Sequence, residues 1–361
     1  MPRDTLIDFF DDLSRAHGDF LVYDDGFRSR TFTYANVGTE ARRFAAHLQA
    51  TGLRKGDAVV FWSENRPEWI VAFWGCLLLG VVVVPIDYRA SPDFLARVAR
   101  IVSAKLVLVG NEVPPLTNTA VGAPVWSLHE SADMGSYPFF TNPTKEGPAP
   151  LPVPIARDDV AEIIFTSGAT AEPKGVVITH RNVLANVVPV EREVMKYRKW
   201  ARPFAPIRFL NLLPLSHMFG QAMATFIPPM LPGVVVFIRG YNPVDIVSQV
   251  KRRRVSVVVS VPKILDVLRE YVLRTAAHPE VPGPKQHFLK RWWRYRSVHR
   301  LLGWKFWAFV VGAAPLDPEL EATWEELGYV VVQGYGLTET APIVSLNHPF
   351  ETRKGSYSLP A

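Results

Sequence analysis

The chain has 361 residues, 48% of them hydrophobic and 20% charged, and a formal net charge of +6. That apolar content is ample for a packed core and excludes a disordered chain. Seven basic residues and no acid lie between Glu280 and Asp317, so the remainder nets −1, which speaks against a nucleic-acid-binding surface.

The length fits two domains or one large α/β unit. The single cysteine, Cys76, sits in an apolar run, so no disulfide can form within the chain. A reducing, cytoplasmic setting is expected. The opening MPRDTLIDFFDDLSRAHGD carries acids and no long apolar run, unlike a secretory signal.

In chain order, helices are predicted over 4–17 and 33–50, then a turn and strand over 55–62. Asn65-Arg66-Pro67-Glu68 opens an apolar helix that leads to a strand over 81–85. The uncharged run 69–86, WIVAFWGCLLLGVVVVPI, has the minimum length of a membrane span. Gly75, Gly80 and Pro85 interrupt it, and it is read as a buried helix followed by a parallel strand. An amphipathic helix over 92–103 and a strand over 105–110 continue the alternation. Such alternation predicts a doubly wound, mostly parallel sheet. Residues 111–154, rich in Pro, Asn, Thr and Gly, are read as a surface connection.

The most informative stretch is AEIIFTSGATAEPKGVVITHR, 161–181. It reads as strand, small hydroxyl-rich loop, strand. Thr166, Ser167, Gly168 and Thr170 offer hydroxyls, backbone N–H groups and close approach to an anion, and Lys174 adds a compact positive charge. An ordinary hairpin loop is the plain alternative. A P-loop NTPase is excluded: the sixth position from Gly168 is Pro173, and Gly175 follows Lys174 where Ser or Thr is required.

Beyond it, a strand over 207–213 ends in Pro214-Leu215-Ser216-His217-Met218-Phe219-Gly220, followed by a nearly all-apolar helix over 219–231. Strands over 233–238 and 255–261 alternate with helices over 242–253 and 262–274. FWAFVVGAAP (306–315) is a strand ending in small residues. A helix over 318–327 and a strand over 329–333 lead to Gln333-Gly334-Tyr335-Gly336-Leu337-Thr338-Glu339-Thr340. In 285–308, Phe288, Trp292, Tyr295 and Leu302 fall near one helical face beside arginines. Two readings stand there: peripheral contact with an anionic inner membrane face, or a basic helix docked on the domain by its aromatics.

The loop resembles the phosphate-binding loop of the adenylate-forming superfamily, Thr-Ser-Gly-Thr-Thr-Gly-x-Pro-Lys-Gly, with Ala169 and Ala171 as departures. The other segments resemble the same family in the same order, including GDAVVFWSENRPEW near the start, and the likeness is nearest to long-chain fatty acyl-CoA synthetases. The resemblance implies two doubly wound, mostly parallel sheets with helices between and around them, and the start of a barrel. A first subdomain is expected over 1–165, a second over 166–345, and the barrel from 346 to 361. It implies ATP, Mg²⁺ and coenzyme A as cofactors and a long-chain fatty acid as substrate. His217 would lie near the acyl carboxylate, with Met218, Ala222, Met223 and Phe226 lining an acyl pocket. The backbone of Gly312, Ala313, Ala314 and Pro315 would flank adenine. Gln333, Gly334 and Gly336 would frame Tyr335, which stacks on the base; Thr338 would bind the α-phosphate and Glu339 the Mg²⁺. The family pattern continues with a ribose-binding aspartate, a hinge and a lysine-bearing lid not found before Ala361, so an N-terminal part of a larger ligase is expected, inactive alone in thioester formation. A fatty acyl-AMP ligase serving a carrier protein, and a non-catalytic nucleotide- or acyl-binding module, stand as alternatives.

Overall fold

β-Branched runs such as Val82-Val83-Val84 and Val257-Val258-Val259 present no polar face, so they form central strands buried on both sides. A computed structural model of the chain, describing residues 3–129, 135–140, 150–166, 172–201, 204–276, 293–341 and 343–346 without the side chains of 135–136, 197–201 and 346, arranges them in two sheets. The elements run α1 (Leu6–Ser14), β1 (Asp19–Asp24), β2 (Ser29–Thr33), α2 (Tyr34–Ala50), β3 (Ala58–Trp62), α3 (Pro67–Leu79), β4 (Val82–Ile86), α4 (Pro92–Ile101), β5 (Leu106–Val109), α5 (Asn118–Val121), β6 (Val125–Ser127), β7 (Gly135–Ser136), β8 (Val160–Thr166), β9 (Lys174–Thr179) and α6 (His180–Ala201). Then come β10 (Arg208–Asn211), α7 (Met218–Gln221), a π-helical turn (Ala222–Phe226), α8 (Ile227–Met230), β11 (Val234–Ile238), α9 (Pro243–Arg252), β12 (Val257–Ser260), α10 (Pro262–Thr275), α11 (Arg296–Leu302), β13 (Ala308–Val311), α12 (Pro318–Glu326), β14 (Val330–Tyr335) and β15 (Ser345–Leu346).

The first sheet has the order β7-β6-β5-β3-β4-β8-β9 and the second β15-β14-β13-β12-β10-β11-β1-β2. Pairing is parallel except in β1/β2, β8/β9 and β14/β15. Proline at the first turn starts α3, α4, α9, α10 and α12, where the missing N–H would have had no partner anyway. One core joins both sheets: Phe61 and Val83 of the first meet Val235 and Phe237 of the second through Phe44, Trp74 and Phe226. Separate cores cover the outer faces, around Leu95 and Val98 on one side and Leu265 and Trp324 on the other. The expected sheets with helices between and around them are therefore present. No closed barrel occurs among the described residues, and 347–361 lie outside them.

Several elements differ from the reading of the sequence. The hairpin β1–β2 was not anticipated, and it belongs to the second sheet, where Val22 lies beside Val236. Conversely, β8 and β9 close the first sheet, so a division at 165/166 does not separate the sheets. The stretch 111–154 is not all connection: α5, β6 and β7 lie within it and extend the first sheet. The helix expected over 219–231 contains the π turn, closed by the Ile227 N–H on Ala222 O, and resumes as α8 with Pro228 and Pro229 in it. The run 69–86 is α3 followed by β4, and among the described residues no helix is long and apolar enough to cross a membrane. Within 285–308, residues 285–292 lie outside the described set and α11 is short. Tyr295 and Leu302, on the face for which membrane contact or docking by aromatics was expected, are buried in the outer core of the second sheet.

Candidate functional site

Antiparallel register sets Lys174, exposed, opposite Thr166, half-buried, so β8 and β9 hold the two ends of the phosphate-type loop side by side. Ser167, Gly168, Ala169, Thr170 and Ala171 lie outside the described residues. Gly175 serves packing rather than ligand approach: a Cβ there would stand 2.7 Å from Ile163 Cγ2.

The turn after β10 is fixed by two asparagines. Asn211 Oδ1 accepts from the Leu213 N–H at 3.2 Å, and its Nδ2 donates to the Gly220 carbonyl at 3.2 Å. From the first sheet, Asn65 donates to Leu213 O and accepts from the Leu215 N–H, both at 2.8 Å. Gly220 is required, since a Cβ would lie 2.2 Å from Pro214 O. This folded turn presents His217 at the start of α7, with 57% of its side chain exposed. Its Nε2 faces Asp87 Oδ2, just beyond β4, at 3.5 Å. Burial alone would raise the Asp87 pKa, but the His217 and Arg89 side chains hold its carboxyl well below the usual range.

The register of β13 and β14 pairs Val311 with Gln333, so the segments that follow, Gly312–Pro315 and Gly334–Glu339, emerge as neighbours. A Cβ on Gly312 would fall 2.5 Å from the Phe219 ring, which thus lies against this glycine and joins the His217 turn to that strand end. Ala313, Ala314 and Pro315 are exposed, and Ala313 has φ +69°, a left-handed conformation that favours glycine. Tyr335, 45% exposed, precedes a 3₁₀ turn over Thr338–Thr340 in which Glu339 faces solvent. Asn186 of α6 clasps the chain beyond it: Nδ2 donates to Thr340 O and Oδ1 accepts from the Ile343 N–H, both at 2.7 Å.

The residues expected to line an acyl pocket are buried, and they divide. Met218, Ala222 and Phe226 border a cavity of about 10 Å³ against Val183, Val187 and Val190 of α6. Met223 instead packs with Val257 and Val310 of the second sheet. A far larger cavity, about 440 Å³, lies elsewhere, at the ends of β3, β5 and β6 beneath the β1–β2 hairpin; Arg66, Glu68, Asn111 and His129 line it. Its charged wall is self-satisfied, because buried Arg66 binds Glu64 and Glu68, each at 3.0 Å.

A family model described as AMP-binding enzyme matches residues 10–361. The chain belongs to that family. Among its relatives, a feruloyl-CoA synthase of Amycolatopsis sp. is 26% identical over 336 residues, covering 91% of this chain and 59% of its own length. A crotonobetaine/carnitine–CoA ligase of Citrobacter koseri is 26% identical over 363 residues, covering 97% and 64%. The chain thus spans about three fifths of these relatives. Among solved structures, a long-chain-fatty-acid-CoA ligase (FadD1) of Archaeoglobus fulgidus superposes with a TM-score of 0.77 at 17% identity, over 99% of this chain and 69% of that one. The N-terminal domain of FACL13 from Mycobacterium tuberculosis gives 0.70 at 22% identity, over 96% and 80%. At such identities these likenesses speak for the fold.

For an AMP-binding enzyme, the strand ends of the second sheet gather the His217 turn, Gly312–Pro315 and Tyr335–Glu339 on one side of the molecule. Asp87, Asn65 and Asn186 were missed as contributors. Only Asn65 had a signal, its place in SENRPEW.

Proposed function

We propose that the chain carries the carboxylate-activating chemistry of an ATP-dependent acid–CoA ligase, with a long-chain fatty acid as acyl donor. The contact of Phe219 with Gly312 carries this reading, because it places the histidine turn against the strand end next to Tyr335. In the first step a carboxylate oxygen attacks the α-phosphorus of ATP, the α–β anhydride bond breaks, and pyrophosphate leaves an acyl-adenylate. The thiol of coenzyme A then attacks the acyl carbon and releases AMP.

The residues suit these roles. Lys174 offers an exposed positive charge for the phosphates, and half-exposed Tyr335 offers a ring face for the base. Thr338 would meet the α-phosphate. Glu339 is an exposed carboxylate of the kind that binds a hard cation, and Mg²⁺ held there would offset phosphate charge. His217 would orient the acyl carboxylate, and the apolar side chains beside Ala222 would receive the chain on opening of the small cavity.

Calorimetry of Mg-ATP binding tests the reading. Tyr335→Ala should weaken binding by about 1–3 kcal/mol of stacking, and Glu339→Ala only when Mg²⁺ is present. Unchanged affinity in both variants would remove the assignment. Carboxylate-dependent pyrophosphate exchange and thioester formation are assayed separately, with coenzyme A and a carrier protein as rival acceptors.

A further inference from the structure

Glu162 is a carboxyl in the middle of the protein. It lies on β8 between Val83 of β4 and Ile178 of β9, and it is 0% exposed. Its Oε2 accepts a hydrogen bond from Gln221 Nε2 at 2.8 Å, and Gln221 is also 0% exposed. Among the described residues, the remaining oxygens of the two side chains, Glu162 Oε1 and Gln221 Oε1, have no hydrogen-bond partner. Both are acceptors if Glu162 is ionised. A buried carboxylate with an unpartnered oxygen is among the costliest arrangements in a protein. One proton on Glu162 Oε1 removes the charge and turns that oxygen into a donor, the group Gln221 Oε1 lacks. A carboxylic acid and a primary amide can then bond reciprocally.

The position of the pair gives it a use. Glu162 stands four residues before Thr166, where β8 enters the phosphate-type loop, and Gln221 stands four residues after His217. The two side chains therefore link the two site elements by a short path through the core. Gln221 also immediately precedes the π turn, a deformation often found where helices serve a site.

We propose that Glu162 and Gln221 form a neutral carboxylic acid–amide clasp that positions the phosphate hairpin against the helix beginning beside His217, so that the two ends of the site move as one unit. The functional part rests on the adenylation reading above; the clasp itself does not. Burial pushes the Glu162 carboxyl up to about 8, with Gln221 opposing. β4 and α7 carry no charged residue, and the one on β9, Lys174, is exposed and pairs with Thr166 at the far end of the hairpin. At the start of α6, just past the hairpin, His180 is held down by burial and responds to Asp159 and Lys55 instead.

The test uses this chain and its Glu162→Gln and Gln221→Leu variants. An infrared difference spectrum at about pH 7 should show one protonated-carboxyl band in the parent that Glu162→Gln abolishes. Absence of that band overturns the neutral pairing. Gln221→Leu should speed amide exchange by about tenfold in both 163–166 and 222–226, whereas Glu162→Gln, which keeps a reciprocal amide pair, should leave both within about twofold. Faster exchange confined to 222–226 overturns the positioning role. If Gln221→Leu does not fold, raising the parent from about pH 7 to about pH 9.5 replaces it, since ionisation removes the Glu162 O–H and with it the second of the two bonds of the clasp. Intrinsic-rate-corrected exchange should then rise in both segments of the parent and stay flat in Glu162→Gln. In pyrophosphate exchange, Gln221→Leu should raise KM for ATP and carboxylate together, more than it lowers kcat. If no variant nor the parent supports exchange while the band and the coupled protection hold, the adenylation reading falls and the clasp stands.

Discussion

Asp87, beyond β4 of one sheet, holds the imidazole of His217, beyond β10 of the other, at 3.5 Å. Replacing Asp87 by alanine frees the ring to rotate, and KM for the carboxylate should rise by about tenfold, the worth of one hydrogen bond. Steady-state kinetics over a series of acids checks this; an unchanged KM would remove Asp87 from the site. The same carboxyl has a stability signature. Its folded pKa lies below its ordinary value, so its contribution is present above about pH 4 and is lost as pH falls further. Urea midpoints should fall more steeply with acid in the parent than in Asp87→Asn.

Ala313 occupies a left-handed conformation at φ +69°. An L-residue there costs about 1–2 kcal/mol, and the extra chain entropy of glycine returns part of that. Ala313→Gly should therefore stabilise the chain by about 0.5–1 kcal/mol. Equilibrium denaturation measures it, and a destabilised variant would show that the conformation is not strained.

Ala222 borders the small cavity between α6 and the π turn, whereas Met223 faces the second sheet. Ala222→Leu should shift acyl preference toward shorter chains, at an overpacking cost of about 1–3 kcal/mol. Met223→Leu should not change it. Competition assays with paired acids decide, and equal responses in the two variants would relegate both residues to the core.

With Tyr295 and Leu302 buried, the exposed aromatics of the basic stretch among the described residues are Trp293, Trp304 and Trp307. A membrane contact would run through these three. Vesicle sedimentation should show binding that grows with anionic lipid and weakens with salt and in Arg294→Glu/Arg300→Glu. Indifference to lipid charge would leave α11 as a docked structural helix.

The legible parts of the fold were those whose partners are near in sequence or whose composition is one-sided. α3 and β4 could be read from one apolar run, because nothing in it can face water. The β1–β2 hairpin escaped notice because Leu21 finds its neighbour at Val235. β7 is two residues long, too short for any period to register. In the site, two of the motifs fall at the ends of β13 and β14, strands that pair side by side. Asp87, Asn186 and Glu162 were illegible for a common reason: each is a lone polar residue whose meaning lies in a contact across the fold.

That pairing of Leu21 with Val235 also sets a schedule for synthesis on the ribosome. The two residues are 214 positions apart (235 less 21), and at about 5–20 residues per second the wait lasts on the order of ten to forty seconds. Meanwhile β3, β4 and β5 of the first sheet, at 58–109, are already available to each other. The N-terminal strand Phe20-Leu21-Val22-Tyr23 must stay unpaired on its β11 side through that interval, an exposed edge that invites chaperone binding or wrong pairing. Its high contact order makes closure of the second sheet the expected slow step of folding. Protease protection of ribosome-stalled chains should show residues around 19–24 still cleavable until Ile238 has emerged, and earlier protection would mean that the strand first docks elsewhere.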